Sequence, residues 1–410
     1  MVEAKDCSLL VVQDEPHFFD GRSYRSEMNF GYFVDWVARQ TQRTTLAVPT
    51  TVDGTPFGQP LDLPNLTFEQ LPYWRSLVSY LKLPRSDKRR LRALAGELVS
   101  KHDAVMVRLP SLPASVFARE ARRQHKVFIT YVGGNILTAA NPLQSHNPLI
   151  RSAARVLSRY VHRVTMRMVA QADVALATGR EIYDLCEGRA KLTRQLMTSL
   201  VSTRDLFARK DSVPDKGPLT LFRAARINPN KGTEFLLEAT ALLVDRGYDV
   251  RLQLAGGWNE DAYAANLKRW CKEHRIEDRV DWLGHIPFGP DVFELYRRSH
   301  IGVLSSLSEG FPRFINEAWA LSLPVVATDL PGLCPPVDPN VNALLVEPGS
   351  AKALADGIQR VIDEPELRRR LIENGMNIAR DNTAELQSKR VADWIAHAIT
   401  QRSRSQCSDG

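Results

Sequence analysis

Residues 308–318 read Ser308-Glu309-Gly310-Phe311-Pro312-Arg313-Phe314-Ile315-Asn316-Glu317-Ala318. The apolar run 301–304 precedes them and another apolar stretch follows, so the segment reads as strand, turn and helix. Pro312 at or near the first helical turn is preorganising there, because its missing N–H has no partner to lose. The free N–H groups of a helix start attract anions. Gly310 lets backbone approach a ligand with no Cβ in the way. Glu309 stands just before the helix. Glu317 stands roughly 7–8 Å inside it, at about 1.5 Å per residue. Two carboxylates so spaced suit two parts of one hydroxyl-bearing ligand. The plainer reading is a helix-start Glu that complements the dipole and a surface Glu317. Against it, Glu317 is followed by Ala-Trp-Ala-Leu and is expected to face inward.

Working outward, the pattern repeats. Residues 219–223, 250–255, 280–283, 301–304 and 324–327 are short apolar runs. Helical stretches over 233–246, 261–274 and 291–298 separate them. This alternation implies a parallel sheet with helices on both faces. The first run leads into Ala225-Arg226-Ile227-Asn228-Pro229-Asn230-Lys231-Gly232, a strand-end loop with two cations. Arg226 offers planar paired donors and Lys231 a mobile point charge. Aimed at a diphosphate leaving group, they stabilise the charge that grows as a bond to it breaks. With two cations in place no divalent metal is required, and the chain has no Asp-X-Asp triplet to clamp one. Alone, the pair reads as solvated charge. The downstream carboxylates favour the functional reading.

The first half alternates in the same way. Runs at 8–13, 44–48, 104–108, 126–132 and 174–177 read as strands, with helices over 33–39, onward from 111 to about 124, and onward from 147. Residues 51–75, dense in Pro, Gly and Asp, read as an irregular excursion. The strand over 126–132 ends in Gly133-Gly134-Asn135, which suggests a strand end facing a ligand crevice. The expected architecture is α/β, with two Rossmann-like, doubly wound parallel-sheet domains facing a cleft. The expected boundaries are a first domain over 1–203, a charged linker over 204–218, a second domain over 219–383, and a disordered tail over 401–410.

A chain of 410 residues is long for one core. No apolar run approaches the ~20 residues of a membrane span. The amino terminus lacks a basic region followed by an apolar one, so no signal peptide is expected. Cys7, Cys186, Cys271, Cys334 and Cys407 are scattered without metal-ligand spacing, which fits a reducing cytoplasm. A net charge of +7 suits an anionic substrate or membrane surface. No RNP aromatics, zinc finger or dense basic arm points to nucleic acid. No Gly-X-Gly-X-X-Gly follows the first strand, which argues against a dehydrogenase.

Together the segments A-R-I-N-P-N-K-G, L-A-G-G, L-G-H-I, V-L-S-S-L-S-E-G-F-P-R-F-I-N-E-A-W-A, L-P-V-V-A-T and N-A-L-L-V resemble the carboxyl-terminal domain of the GT-B family 4 glycosyltransferases, the "glycosyl transferases group 1" family. The likeness spans residues 219–380. It is nearest to bacterial enzymes of surface-polysaccharide assembly. It implies a GT-B fold, retention of anomeric configuration and metal independence, with a nucleoside-diphosphate sugar as co-substrate and no other cofactor. It implies that Arg226 and Lys231 hold the donor diphosphate and that Glu309 contacts the donor sugar, beside the backbone of Gly310, Phe311 and Pro312. Glu317 would hold the ribose, and the backbone of His285 and Ile286 would meet the base. A helix over 384–400 would cross back onto the first domain. The chain has Ala225, Ser322 and Ala343 where the family usually has Gly. The family's glycine-rich loop in the first domain is not evident; Gly21 and Gly31 are candidates, with Gly133, Gly134 and Asn135 on the acceptor side. The acceptor would be a saccharide or a lipid-linked saccharide. A catalytically silent GT-B module is the alternative, opposed by the presence of Arg226, Lys231, Glu309 and Glu317 together.

From 147 onward Arg151, Arg155, Arg159, Arg163 and Arg167 recur every four residues, with a second basic cluster over 82–92. Basic amphipathic helices bind anionic membrane surfaces, and such a surface is a candidate partner. An ordinary solvated helix face is the alternative.

Overall fold

A computed structural model describes residues 3–133, 148–214, 217–258 and 261–408. The chain forms two compact units, Met1–Leu200 with Ala384–Gly410, and Val201–Thr383.

The first unit opens with β1 (Ser8–Val12), β2 (His17–Phe19), β3 (Tyr24–Ser26), α1 (Phe30–Ala38), β4 (Arg43–Thr51), β5 (Gln59–Pro60) and β6 (Leu66–Leu71). It continues with α2 (Leu77–Leu81), α3 (Arg85–Ser100), β7 (Ala104–Leu109), α4 (Ala114–Arg123), β8 (Val127–Val132), α5 (Pro148–Ala170), β9 (Val174–Thr178), α6 (Arg180–Cys186) and β10 (Leu192–Leu196). The ten strands lie in the order β10-β9-β8-β7-β1-β4-β2-β3-β5, with β6 on β4. The central strands β1, β8 and β9 are buried at every position, as continuous apolar runs of a sheet covered on both faces should be.

Residues 51–75 are not irregular throughout. β6 pairs in parallel with β4 from Thr44↔Leu66 to Pro49↔Leu71, and the last residues of β4 turn to β2. Its half-exposed Leu-Thr-Phe-Glu-Gln-Leu is an edge pattern, stabilised by a partner far away in sequence. Gly21 lies in the β2–β3 turn at φ +90°, where Asp20 accepts from the N–H groups of Arg22 and Ser23. That turn accounts for the glycine without a ligand. Gly31 is buried within α1.

The second unit contains β11 (Leu219–Ala224), α7 (Thr233–Asp245), β12 (Val250–Ala255), α8 (Asp261–Glu273), β13 (Val280–Gly284), α9 (Pro290–Arg298), β14 (Ile301–Leu304), α10 (Arg313–Ala320), β15 (Val325–Thr328), β16 (Leu344–Val346), α11 (Ala351–Asp363) and α12 (Pro365–Arg380). Its strands run β13-β12-β11-β14-β15-β16, all parallel.

The described part of the expected linker is anchored to this unit. The Phe207 N–H donates to Ala320 O, and the Arg209 guanidinium donates to the carbonyls of Arg297, Ser299 and Ser322. Asp211 pairs with the buried Arg368 at 2.5 Å and with Arg369 at 3.1 Å. Ser322 adopts φ +54°, the left-handed region that glycine enters freely. Its hydroxyl donates to Phe207 O at 2.7 Å, so the serine ties down this segment as a glycine could not.

The last helix, α13 (Ala384–Ser408), belongs to the first unit, where it packs on α1, β8 and β9. Residues 401–408, expected as disordered tail, continue it. Arg402 holds them to the sheet, 3.4 Å from Asp173 and donating to Lys126 O.

Candidate functional site

In the second unit the strand order reverses between β11 and β14. Ligands of open α/β sheets bind at the carboxyl ends of strands at such a switch point. The loop 225–232 leaves β11, and the loop 305–312 leaves β14.

The two loops lie on one another. Leu307 N–H donates to Asn230 O at 2.9 Å, and Ser305 Oγ donates to Lys231 O at 3.0 Å. Gly232 permits this. It sits at φ +55°, and a Cβ there would fall 2.2 Å from Ser305 O. Gly256, in the L-A-G-G segment after β12, allows the same closeness on the other side, since its Cβ would fall 1.9 Å from Ala225 O.

This stacking brings Lys231 Nζ to 2.5 Å from Glu309 Oε1, with side chains only 22% and 12% exposed. Ser306 Oγ donates to the same carboxylate oxygen at 2.7 Å. Glu309 is therefore held by two donors from two loops. Arg226 is exposed at the end of β11 and has no ion pair among the described residues. Gly310, Phe311 and Pro312 lead into α10 with Pro312 at its cap. Glu317 is half-buried one turn into that helix. The hydroxyl of the fully buried Tyr296 donates to its Oε2 at 2.6 Å. Burial first, then the Glu317 charge, raise the Tyr296 phenol well above its ordinary range, so it stays a donor. His285 and Ile286 follow β13, His285 exposed and Ile286 partly buried. All these positions lie at strand carboxyl ends of one sheet. Of the site residues expected from sequence, Lys231 and Glu309 meet directly.

Sequence reasoning missed Arg223. It lies on β11, 1% exposed, and its Nη1 donates to Thr233 Oγ1 at 3.0 Å and Ser305 Oγ at 3.3 Å. Its Nε and Nη2 have no hydrogen-bond partner among the described residues. Burial pulls its pKa down to about 10, against the upward pull of Glu309, Tyr263 and Glu234. The available signal was alternation: Leu219, Leu221 and Arg223 share one side of a strand.

The first unit has its own switch point, between β1 and β7. There Glu15 Oε2 accepts from Arg108 Nη1 at 3.1 Å and from Gln13, and His17 Nδ1 lies 2.9 Å from Glu15 O. Arg108 also lies 4.9 Å over the Phe30 ring. Burial pushes the Glu15 carboxyl up to about 7 and Asp14 upward, and pulls His17 down to about 4. Gly133 is exposed at the end of β8, its N–H donating to Leu109 O. Gly134 and Asn135 lie outside the described residues.

The family model of "Glycosyl transferases group 1" matches residues 205–378. That match covers most of the second unit. Over about 160 residues the chain is 30% identical to alpha-D-kanosaminyltransferase of Streptomyces kanamyceticus, covering 39% of this chain and 40% of that protein. It is 32% identical to D-inositol 3-phosphate glycosyltransferase of Pseudarthrobacter chlorophenolicus, covering 39% and 38%. The matched region thus spans less than half the length of these curated relatives. Over nearly the whole chain the fold is that of solved GT-B glycosyltransferases. HepE of Anabaena, crystallised with UDP and glucose, superposes with TM-score 0.68 at 16% identity, covering 94% of this chain and 98% of that one. Sucrose-phosphate synthase of Thermosynechococcus elongatus does so with TM-score 0.66 at 19% identity, covering 98% and 100%.

Proposed function

We propose that the protein transfers a sugar from a nucleoside-diphosphate sugar to a saccharide or lipid-linked acceptor, with retention of configuration and no resident metal, in surface-polysaccharide or glycoconjugate assembly. The observation that carries this reading is the Lys231–Glu309 pair at the β11/β14 switch point, with Arg226 exposed on the loop that holds Lys231. The complex of HepE with UDP and glucose supports a nucleotide sugar as donor. The capsular polysaccharide glycosyltransferase CapM of Staphylococcus aureus, 27% identical over 151 residues, supports the assembly role.

In this reading Arg226 and Lys231 take the diphosphate, and Glu309 orients the sugar hydroxyls. Ser306 keeps Glu309 in place when Lys231 turns to phosphate. Glu317, fixed by Tyr296, accepts from the ribose, and the backbone at His285 and Ile286 meets the base. The bond from the anomeric carbon to the diphosphate breaks, with the electron pair leaving on phosphate. The acceptor oxygen attacks the same face, and its proton passes to the departing phosphate. Acceptor hydroxyls are assigned to the first unit's cluster of Asp14, Glu15 and Arg108. Cytoplasmic action is part of the proposal, in keeping with the free thiols of Cys7, Cys186 and Cys271.

Thermal unfolding in the presence of UDP-, GDP- and ADP-sugars tests the reading. A donor at ~100 times its dissociation constant adds about 2.7 kcal/mol, so one nucleotide class should raise the melting temperature clearly. If none did, the donor-site assignment would fail.

A further inference from the structure

Positions 121–172 contain no Asp or Glu. Within them Arg155, Arg159, Arg163 and Arg167 stand exposed along α5 and make no ion pair or hydrogen bond among the described residues. Beside α5, α4 exposes Arg119, Arg122 and Arg123; among the described residues Arg123 makes an ion pair, with Glu120 at 2.7 Å, and Arg119 lies within electrostatic reach of the same carboxylate. The two helices bound a groove of about 600 Å³ lined by Arg119, Arg122, Arg123, Tyr160 and Arg167.

An apolar brow adjoins the groove. Leu77 and Tyr80 of α2 and Leu157 and Val164 of α5 pack against the buried Leu112 and Val161. Val78, Leu81, Val156 and Tyr160 are left 53%, 48%, 67% and 53% exposed. Val156, Tyr160, Arg163 and Arg167 recur at three- and four-residue spacing, so they share one face of α5.

A solvated helix face normally mixes acids with bases and seldom exposes large apolar side chains together. Here uncompensated guanidinium groups and exposed apolar groups adjoin. That combination suits a surface with phosphates outside and hydrocarbon just beneath. We propose that this face docks on a bilayer rich in anionic phospholipid, with headgroup phosphates in the α4–α5 groove and the four apolar side chains at the acyl boundary. Among the described residues no helix is long and apolar enough to cross a membrane, so the association is peripheral. It would hold the enzyme beside a lipid-linked acceptor, but it rests on the first unit alone and stands apart from the donor-site reading.

The test is co-sedimentation of the full chain with vesicles of phosphatidylcholine, with and without phosphatidylglycerol. Binding is expected to the anionic vesicles only and to weaken as salt rises. At about fivefold per arginine, the Arg122→Gln/Arg163→Gln/Arg167→Gln variant should lose on the order of a hundredfold in partition. Val156→Ser/Tyr160→Ser should weaken binding independently. All five positions are exposed, and an unchanged circular dichroism spectrum verifies folding. The proposal is overturned by equal binding to neutral vesicles, by no binding at low salt, or by a triple variant that binds as wild type. Competition by inorganic phosphate at constant ionic strength would overturn it in favour of a soluble phosphate ligand. Equal affinity for a single-stranded oligonucleotide would overturn it in favour of nucleic acid.

Discussion

Both units reverse their strand order at one place, and the two places are built differently. Between β11 and β14 the side chains are fixed charges. Lys231 and Glu309 meet at 2.5 Å, Ser306 supports the carboxylate, and Arg226 stands in solvent. Between β1 and β7 burial dominates. Glu15 is pushed up to about 7, Asp14 is raised, and His17 is pulled down to about 4. The same topology serves opposite electrostatic ends. On the proposed reading, the second unit presents charge to a ligand that is itself charged in every state. The first brings its groups toward neutrality, which suits hydroxyls that both donate and accept. On this view, donor recognition is electrostatic and acceptor recognition is hydrogen-bonded.

The largest expected effect breaks the charged side. Lys231→Ala and Glu309→Ala should each lower turnover about 10²–10³-fold, the scale for removing one preorganised charge contact. Both residues lie outside the sheet, so the fold should persist, with some fall in melting temperature because each variant leaves a largely buried partner unpaired. Steady-state sugar transfer beside a melting curve checks this. Near-normal rates in both variants would remove the basis for the donor assignment.

How much was legible in the sequence follows from the same division. The strands Val250–Ala255 and Ile301–Leu304 match their expected limits, the first through alternation of buried apolar with more exposed residues, the second as a short run buried throughout. The edge strands Leu66–Leu71 and Leu192–Leu196 escaped, since each lies largely half-exposed and shows no clean apolar alternation. The anchoring of 204–214 escaped because Asp211 is fixed by Arg368, far along the chain. At the site, Lys231 and Glu309 were legible as members of local motifs, and so was the turn at Gly310. Their contact was not, because it depends on Gly232 lying against Ser305. Arg223, Tyr296 and the Glu15–Arg108 pair were hidden because their meaning lies in packing across strands.

The neutral side is sharpened by pH. Between the unfolded carboxyl range near 4.5 and about 7, folded Glu15 keeps a proton that the unfolded chain has lost. Its contribution is fully present below that window and disappears as pH rises through it. His17 works in the other direction. Between about 4 and 6.5 the unfolded chain binds a proton that the folded ring refuses, so stability falls as pH falls. Each effect is on the order of 3 kcal/mol at most. Glu15→Gln should therefore gain on wild type as pH rises from 4.5 to 7, and His17→Gln should gain as pH falls from 6.5 to 4. Loss of the Arg108 partner gives Glu15→Gln a roughly constant offset, so the slope is the readout. Denaturant unfolding of the first unit at a series of pH values measures it. Curves parallel to wild type for both variants would mean that burial does not govern this cluster.

The smallest effect, about tenfold in rate, separates stability from alignment at Arg223. Its Nη1 joins Thr233 at the start of α7 to Ser305, whose hydroxyl holds the Lys231 carbonyl. Its Nε and Nη2 are buried without hydrogen-bond partners among the described residues, which opposes folding. Replacing a buried, incompletely paired charge by an apolar side chain of similar volume is often neutral or stabilising. Glu309 would not be stranded, because Lys231 and Ser306 still hold it. Arg223→Met should therefore melt at or above the wild-type temperature. Its kcat should fall about tenfold, roughly 1.4 kcal/mol in the barrier, as the two stacked loops lose their common anchor. Arg223→Lys keeps a charge but lacks the planar fork that reaches both hydroxyls, and should recover only part of the rate. A strongly destabilised Arg223→Met with unchanged turnover would instead make this arginine a purely structural element. The charged switch point would then rest on Lys231, Ser306 and Glu309 alone.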